Sequence, residues 1–118
     1  MSGAWRRPGA IAVWALAVSA VGGVGARAML DRPRAPVTHA VTIDASSYRP
    51  ARLMVRSGDT VVWVNKDLIP HTVTASDTRF DSQAIAPGAS WRFTVEAKGA
   101  ADYACAFHPN MTGRIDAE

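Results

Sequence analysis

Four side chains in this sequence suit a metal ion, and three of them fall within seven residues. Cys105, His108 and Met111 follow one another at intervals of three in Tyr103-Ala104-Cys105-Ala106-Phe107-His108-Pro109-Asn110-Met111-Thr112-Gly113. Thiolate, imidazole and thioether are the soft and borderline ligands that favour copper. One tight loop can wrap them around a single ion. A second imidazole, His71, follows Pro70 soon after an apolar run. Two imidazoles and a thiolate in a trigonal set, with a distant axial thioether, form the donor set of an electron-transfer copper centre.

Such a set needs rigid elements behind it. Side chains alternate along a strand, so Tyr103 and Cys105 point to one side, with the tyrosine in the core below the sulfur. Pro109 fixes φ beside His108 and stiffens the loop. Gly113 lets the last strand begin without a clash. His71 must come from a different strand, and in antiparallel sheets it can reach the same end as the Cys105 loop. Short β-branched and aromatic runs separated by turn residues supply those strands: 38–43, 53–56, 60–65, 71–75, 91–95, 101–105 and 112–117. Tyr48-Arg49-Pro50 reads as a bend and Ser57-Gly58-Asp59 as a turn. The 60–65 run is apolar on both faces and is expected to be central and buried. No segment sustains helical periodicity for three turns. The pattern predicts an all-β Greek-key sandwich of about seven strands.

The 118 residues allow one domain. The net charge of +3 comes from Arg6, Arg7 and Arg27; residues 29–118 hold ten Lys/Arg against ten Asp/Glu. That balance excludes a nucleic-acid partner. An apolar stretch follows Arg6-Arg7, and Ala26-Arg27-Ala28 offers small residues to a signal peptidase. Residues 1–28 therefore read as a signal peptide or an uncleaved N-terminal anchor, 29–36 as a linker and 37–118 as the copper-binding domain. The protein is expected to be periplasmic or otherwise exported, its only membrane contact being that anchor. In an oxidising compartment the lone cysteine has no disulfide partner, and metal ligation accounts for it.

Gly58-Asp59-Thr60-Val61-Val62-Trp63, Pro70-His71, Phe80-Asp81-Ser82, Pro87-Gly88 and Tyr103-x-Cys105-x-x-His108-Pro109-x-Met111-x-Gly113 resemble the cupredoxins, the small type 1 blue-copper proteins. Among them the short His108–Met111 spacing with its His-Pro pair is most similar to the amicyanin type of plastocyanin-like domain. The resemblance implies one type 1 copper ion held by His71, Cys105, His108 and Met111. It also implies single-electron shuttling between larger redox proteins of the dehydrogenase or cytochrome type. Thr72 stands where the family usually has an asparagine that ties the two ligand loops together, and the 71–105 segment is short.

Other residues have plainer expectations. His39 reads as an outward, solvated side chain, Met54, Trp63 and Trp91 as core, and Asp59, Asp67, Asp77 and Asp81 as turn or capping residues. The edge of His108 is expected to be the electron exit, with Phe107, Pro109 and Ile69 forming an apolar docking patch on a monomer. A copper delivery or storage protein is the alternative, although the chain has no Met cluster. Three histidines are too few for a multicopper oxidase, so no enzyme activity is expected.

Overall fold

The computed structural model describes residues 34–118. The segment read as signal peptide or anchor, Met29 and most of the linker lie outside the described residues. The eight strands are β1 (Thr38–Asp44), β2 (Ser47–Arg49), β3 (Arg52–Val55), β4 (Thr60–Asn65), β5 (Thr74–Ala75), β6 (Ser90–Thr94), β7 (Gly99–Ala104) and β8 (Thr112–Ala117). Among the described residues no helix is long and apolar enough to cross a membrane.

Two four-stranded sheets face each other, ordered β2-β1-β4-β6 and β3-β8-β7-β5. The fold is the expected all-β sandwich, but the sheets are mixed: β1 runs parallel to β4, and β3 runs parallel to β8. Alternation dictates what each strand buries. Val61 and Trp63 of β4 are fully buried, while Val62 and Val64 on the other face are only half-covered. β4 is therefore central in its sheet but buried on one face alone. Val41, Ile43, Val61 and Trp63 from the first sheet meet Val55, Tyr103 and Ile115 from the second.

The additional strand is β2, in the stretch read as a bend. It pairs with β1 through a two-residue turn, Ala45-Ser46, with Asp44 opposite Ser47. Both turn residues have positive φ, 50° and 52°. Such a turn matches the twist of a hairpin but ordinarily selects Asn-Gly, so Ala-Ser gives no warning of it. A non-glycine residue in that region carries strain of about 1–2 kcal/mol, partly offset by the entropy a glycine adds to the unfolded chain. Ser46→Gly is therefore expected to stabilise the fold by about 0.5–1 kcal/mol. A urea midpoint that stays level or falls would refute the strain.

Two expectations about side-chain direction are corrected. Met54 is 57% exposed, because Leu53 and Val55, either side of it, point inward. His39 shares its parity with Val41 and Ile43, so it faces inward at the end of β1, where Nε2 lies 2.8 Å from an Asp59 carboxylate oxygen. Asp59 is buried and exceeds a turn role. Its carboxylate accepts from the Arg34 guanidinium at 2.8 Å, from the Val37 N–H at 2.9 Å and from the Arg56 N–H at 3.0 Å. Part of the predicted linker is thereby fastened to the domain.

The bonds to Arg34, then those to His39 and the two backbone N–H groups, hold Asp59 far below the usual carboxylate range, against an opposing push from desolvation. A depressed folded-state pKa stabilises the fold fully above the unfolded value of about 3.9, and that contribution is lost as pH falls below it. Acid titration should accordingly lower the melting temperature steeply from about pH 4 downwards. An Asp59→Asn protein should start less stable at neutral pH and show a shallower acid limb. Superimposable acid limbs would contradict this.

Candidate metal centre

β7 ends at Ala104, and the chain turns immediately afterwards. The His108 N–H donates to the Cys105 carbonyl at 3.2 Å, and the Met111 N–H donates to the His108 carbonyl at 2.9 Å. The Cys105 N–H donates back to the Met111 carbonyl at 3.1 Å, which closes the loop before β8 begins. The three-residue spacing of the donors is thus the spacing of two consecutive tight turns. Cys105 and Met111 are buried in it, and His108 is half-buried.

His71 arrives from the chain between β4 and β5. Its backbone N–H and C=O exchange hydrogen bonds with Ile85 at 3.2 and 2.7 Å. The ring is fully buried. Three strands, β5 to β7, lie between His71 and Cys105, and the mixed pairing still brings both to one end of the sandwich.

There Cys105 Sγ lies 3.8 Å from Nδ1 of His71 and 3.8 Å from Nδ1 of His108. The three donor atoms all lie within 4.8 Å of one another. First-row metal bonds of about 2.0–2.1 Å to nitrogen and about 2.3 Å to sulfur, set about 120° apart, separate the sulfur from each nitrogen by about 3.8 Å. The two sulfur–nitrogen distances would suit one small ion held by all three residues. A thiolate with two imidazoles is also the donor chemistry of a type 1 copper site.

The surroundings prepare the sulfur. Desolvation is the largest single influence on the Cys105 thiol and pushes its pKa up. The Thr72 N–H at 3.3 Å, the two imidazoles and the Phe107 N–H together outweigh it and bring the pKa down to about 6. The thiolate form that a metal requires therefore predominates at neutral pH. Beneath it, Tyr103 accepts a 3.2 Å hydrogen bond from Trp63 Nε1. Burial raises the Tyr103 phenol to about 12 in spite of that bond, so no second anion forms under the sulfur.

Thr72 connects the two ligand segments. Its Oγ1 accepts from the Ala106 N–H at 2.7 Å and pairs with Thr74 Oγ1 at 2.9 Å. Its carbonyl accepts from the Tyr48 hydroxyl. The shorter side chain thus performs the tie expected of an asparagine. Thr72→Val keeps the shape but leaves the Ala106 N–H without its acceptor, which should cost about 1–3 kcal/mol. Thr72→Ser should restore most of it. Equal thermal stability of the valine and serine variants would exclude the tie.

Asp67 is the residue that sequence reasoning missed. Its carboxylate accepts from the Ala45 N–H at 2.7 Å and the Ser46 N–H at 2.8 Å, and its Oδ2 lies 2.7 Å from His71 Nε2. The Ser46 N–H contributes most to holding Asp67 below the usual carboxylate range; desolvation opposes it, and His71 and the Ala45 N–H add to the lowering. The only available signal was a carboxylate four positions before a candidate ligand.

The rim is apolar. Leu68, Phe107 and Ile69 are 94%, 55% and 45% exposed. An open cleft beside His108 is lined by Ser46, Phe107, Pro109, Asn110 and Met111.

Residues 9–116 match the cupredoxin-like domain family. The chain is 28% identical to an amicyanin from Paracoccus versutus, over 91% of this chain and 93% of that protein. Among solved structures, an oxidised amicyanin variant superposes with a TM-score of 0.64 at 27% identity, covering 68% of this chain and 81% of that one. A purple cupredoxin from Nitrosopumilus maritimus gives 0.62 at 26% identity, covering 68% of this chain and 99% of that one.

Proposed function

Because the chain belongs to the cupredoxin-like domain family, we propose that it carries single electrons between redox proteins through one copper ion held by His71, Cys105, His108 and Met111. The observation that carries this reading is the 3.8 Å spacing of Cys105 Sγ from both Nδ1 atoms. Copper supplies the one-electron chemistry by alternating between Cu(II) and Cu(I). The protein's part is to keep the donors in place through that change. Hydrogen bonds between the two ligand segments, through Thr72 and the Cys105–Met111 loop, support a centre that reorganises little. Met111 would be the fourth donor in this reading, since it is buried and closes the same loop.

In this reading partners dock near His108, against the cleft that Phe107 and Pro109 line beside the half-buried imidazole. Redox encounters of this kind are small and short-lived. The protein acts as a monomer outside the cytoplasm, residues 1–28 serving as signal peptide or anchor.

The test is to add Cu(II) to the purified protein and record its visible spectrum before and after a one-electron reductant. An intense thiolate-to-copper band that bleaches and returns reversibly is expected. A colourless protein that takes up only Cu(I) would overturn the carrier reading in favour of delivery or storage.

A further inference from the structure

We propose that Asp67 is a positioning residue that fixes His71 and, through its charge, favours the oxidised state of the copper centre and so lowers its reduction potential. This inference rests on the copper reading above. Its basis is an asymmetry between the two imidazoles. Nδ1 of each ring faces the sulfur at 3.8 Å, but Nε2 of His71 meets the Asp67 carboxylate at 2.7 Å. Among the described residues, no hydrogen bond is made by Nε2 of His108.

An ionised carboxylate can only accept, so the proton of a neutral His71 sits on Nε2 and the Nδ1 lone pair is left for the metal. The carboxylate therefore selects the tautomer. It also makes the ring a stronger donor, as negative partners behind ligating histidines do. Cu(II), with its higher charge, gains more from this than Cu(I).

The carboxylate is itself held. Ala45 and Ser46 direct consecutive N–H groups at its two oxygens, and both adopt positive φ to do so. The Asp67 N–H is bound in turn by Asn65 Oδ1 at 3.0 Å, while Asn65 Nδ2 donates to the carbonyls of Ile69 and Ile85. His71 is fully buried and the Asp67 side chain is 14% exposed, so water has little opportunity to replace the bond. The β1–β2 turn thus anchors a metal ligand to which it contributes no donor atom.

The decisive comparison is wild type against Asp67→Asn, each loaded with copper. Cu(II) and Cu(I) dissociation constants and the potential would be measured. The near-isosteric amide can still accept from Nε2 through its oxygen, but it carries no charge. Cu(II) affinity should fall by about 10–100-fold, the usual effect of losing such a partner, with a smaller fall for Cu(I). Each tenfold by which the Cu(II) loss exceeds the Cu(I) loss should raise the potential by about 59 mV.

A purely structural role would weaken both oxidation states alike and leave the potential unmoved, which would overturn the assignment. Nitrogen-15 spectra of the copper-free wild-type protein give a readout independent of the variant's folding. His71 should carry its proton on Nε2, and a proton on Nδ1 would likewise overturn it. A wild type that takes up no copper defeats the carrier reading and this assignment together. A loaded wild type matched in every measurement by Asp67→Asn defeats the assignment alone.

Discussion

A Cys105→Ser protein should fold normally yet remain colourless in Cu(II). In the proposed centre the thiolate would be the source of the charge-transfer band and the softest donor beside the two imidazoles, so its loss should remove the colour completely. Affinity should fall by more than the roughly 100-fold upper figure for an outer partner of a ligand. Folding should survive because a serine oxygen can still accept from the Thr72 N–H that now meets Sγ at 3.3 Å. The melting curve provides a second readout. Copper at about a thousand times its dissociation constant adds about 4 kcal/mol to a protein that binds it only when folded. For a domain of this size that is a rise of about 15–30 °C. The wild type should show this rise and Cys105→Ser should not. Colour or a full copper-induced rise in the serine variant would remove Cys105 from the centre.

Gly113→Ala should be the most damaging single methyl in the domain. Gly113 lies directly opposite Tyr103 across β7 and β8. A Cβ at 113 would run into Cζ and Oη of that tyrosine and stand 2.7 Å from Cε2. The ring has nowhere to go: it packs edge-on against Tyr48 at 4.7 Å and Trp63 at 5.6 Å, and it holds the Trp63 indole N–H. Overpacking a core ordinarily costs about 1–3 kcal/mol. A fixed aromatic ring puts this site at the upper end, and a weakened Trp63 bond adds about 1 kcal/mol. A loss of about 3 kcal/mol or more is expected, read as a fall of at least about 12 °C in melting temperature. Shrinking the obstacle should help, so the penalty of Gly113→Ala ought to be much smaller in a Tyr103→Leu background. Strict additivity of the two substitutions would refute the clash. Cys105 lies just beyond Tyr103 on the same side of the chain, so the surviving holoprotein should also show a displaced visible band.

Much of this was legible in the residues. Turn chemistry and alternation located most of the strands to within two or three residues, and β8 runs over Thr112–Ala117 as expected. The three-residue steps from Cys105 to Met111 foretold a tight loop because each step is one turn. What stayed hidden depends on partners distant in sequence. Nothing in the apolar pattern of β1 states that it lies parallel to β4, since alternation fixes a face and not a neighbour. The Ala45-Ser46 turn is held by the Asp67 carboxylate, and no glycine marks it. Asp67 looked like any aspartate near a turn until the fold set it behind His71. Met54 was misjudged for a nearer reason: reading 53–56 as an apolar block ignored the alternation that turns its middle member outward.

The position of β8 has a bearing on the order of assembly. It lies inside its sheet, between β3 and β7, although it is the last of the described strands. β3 pairs with it across some sixty intervening positions, Arg52 opposite Arg114. Pairing between such distant segments is slow, because a long loop must close before any contact rewards it. The second sheet therefore completes only after its final strand has been synthesised and inserted. Until then the Cys105–Met111 loop lacks the support of β8, and the donors from the middle and the end of the chain remain apart. Metal capture should accordingly follow folding as a separate event, wherever in the cell the complete domain first comes together.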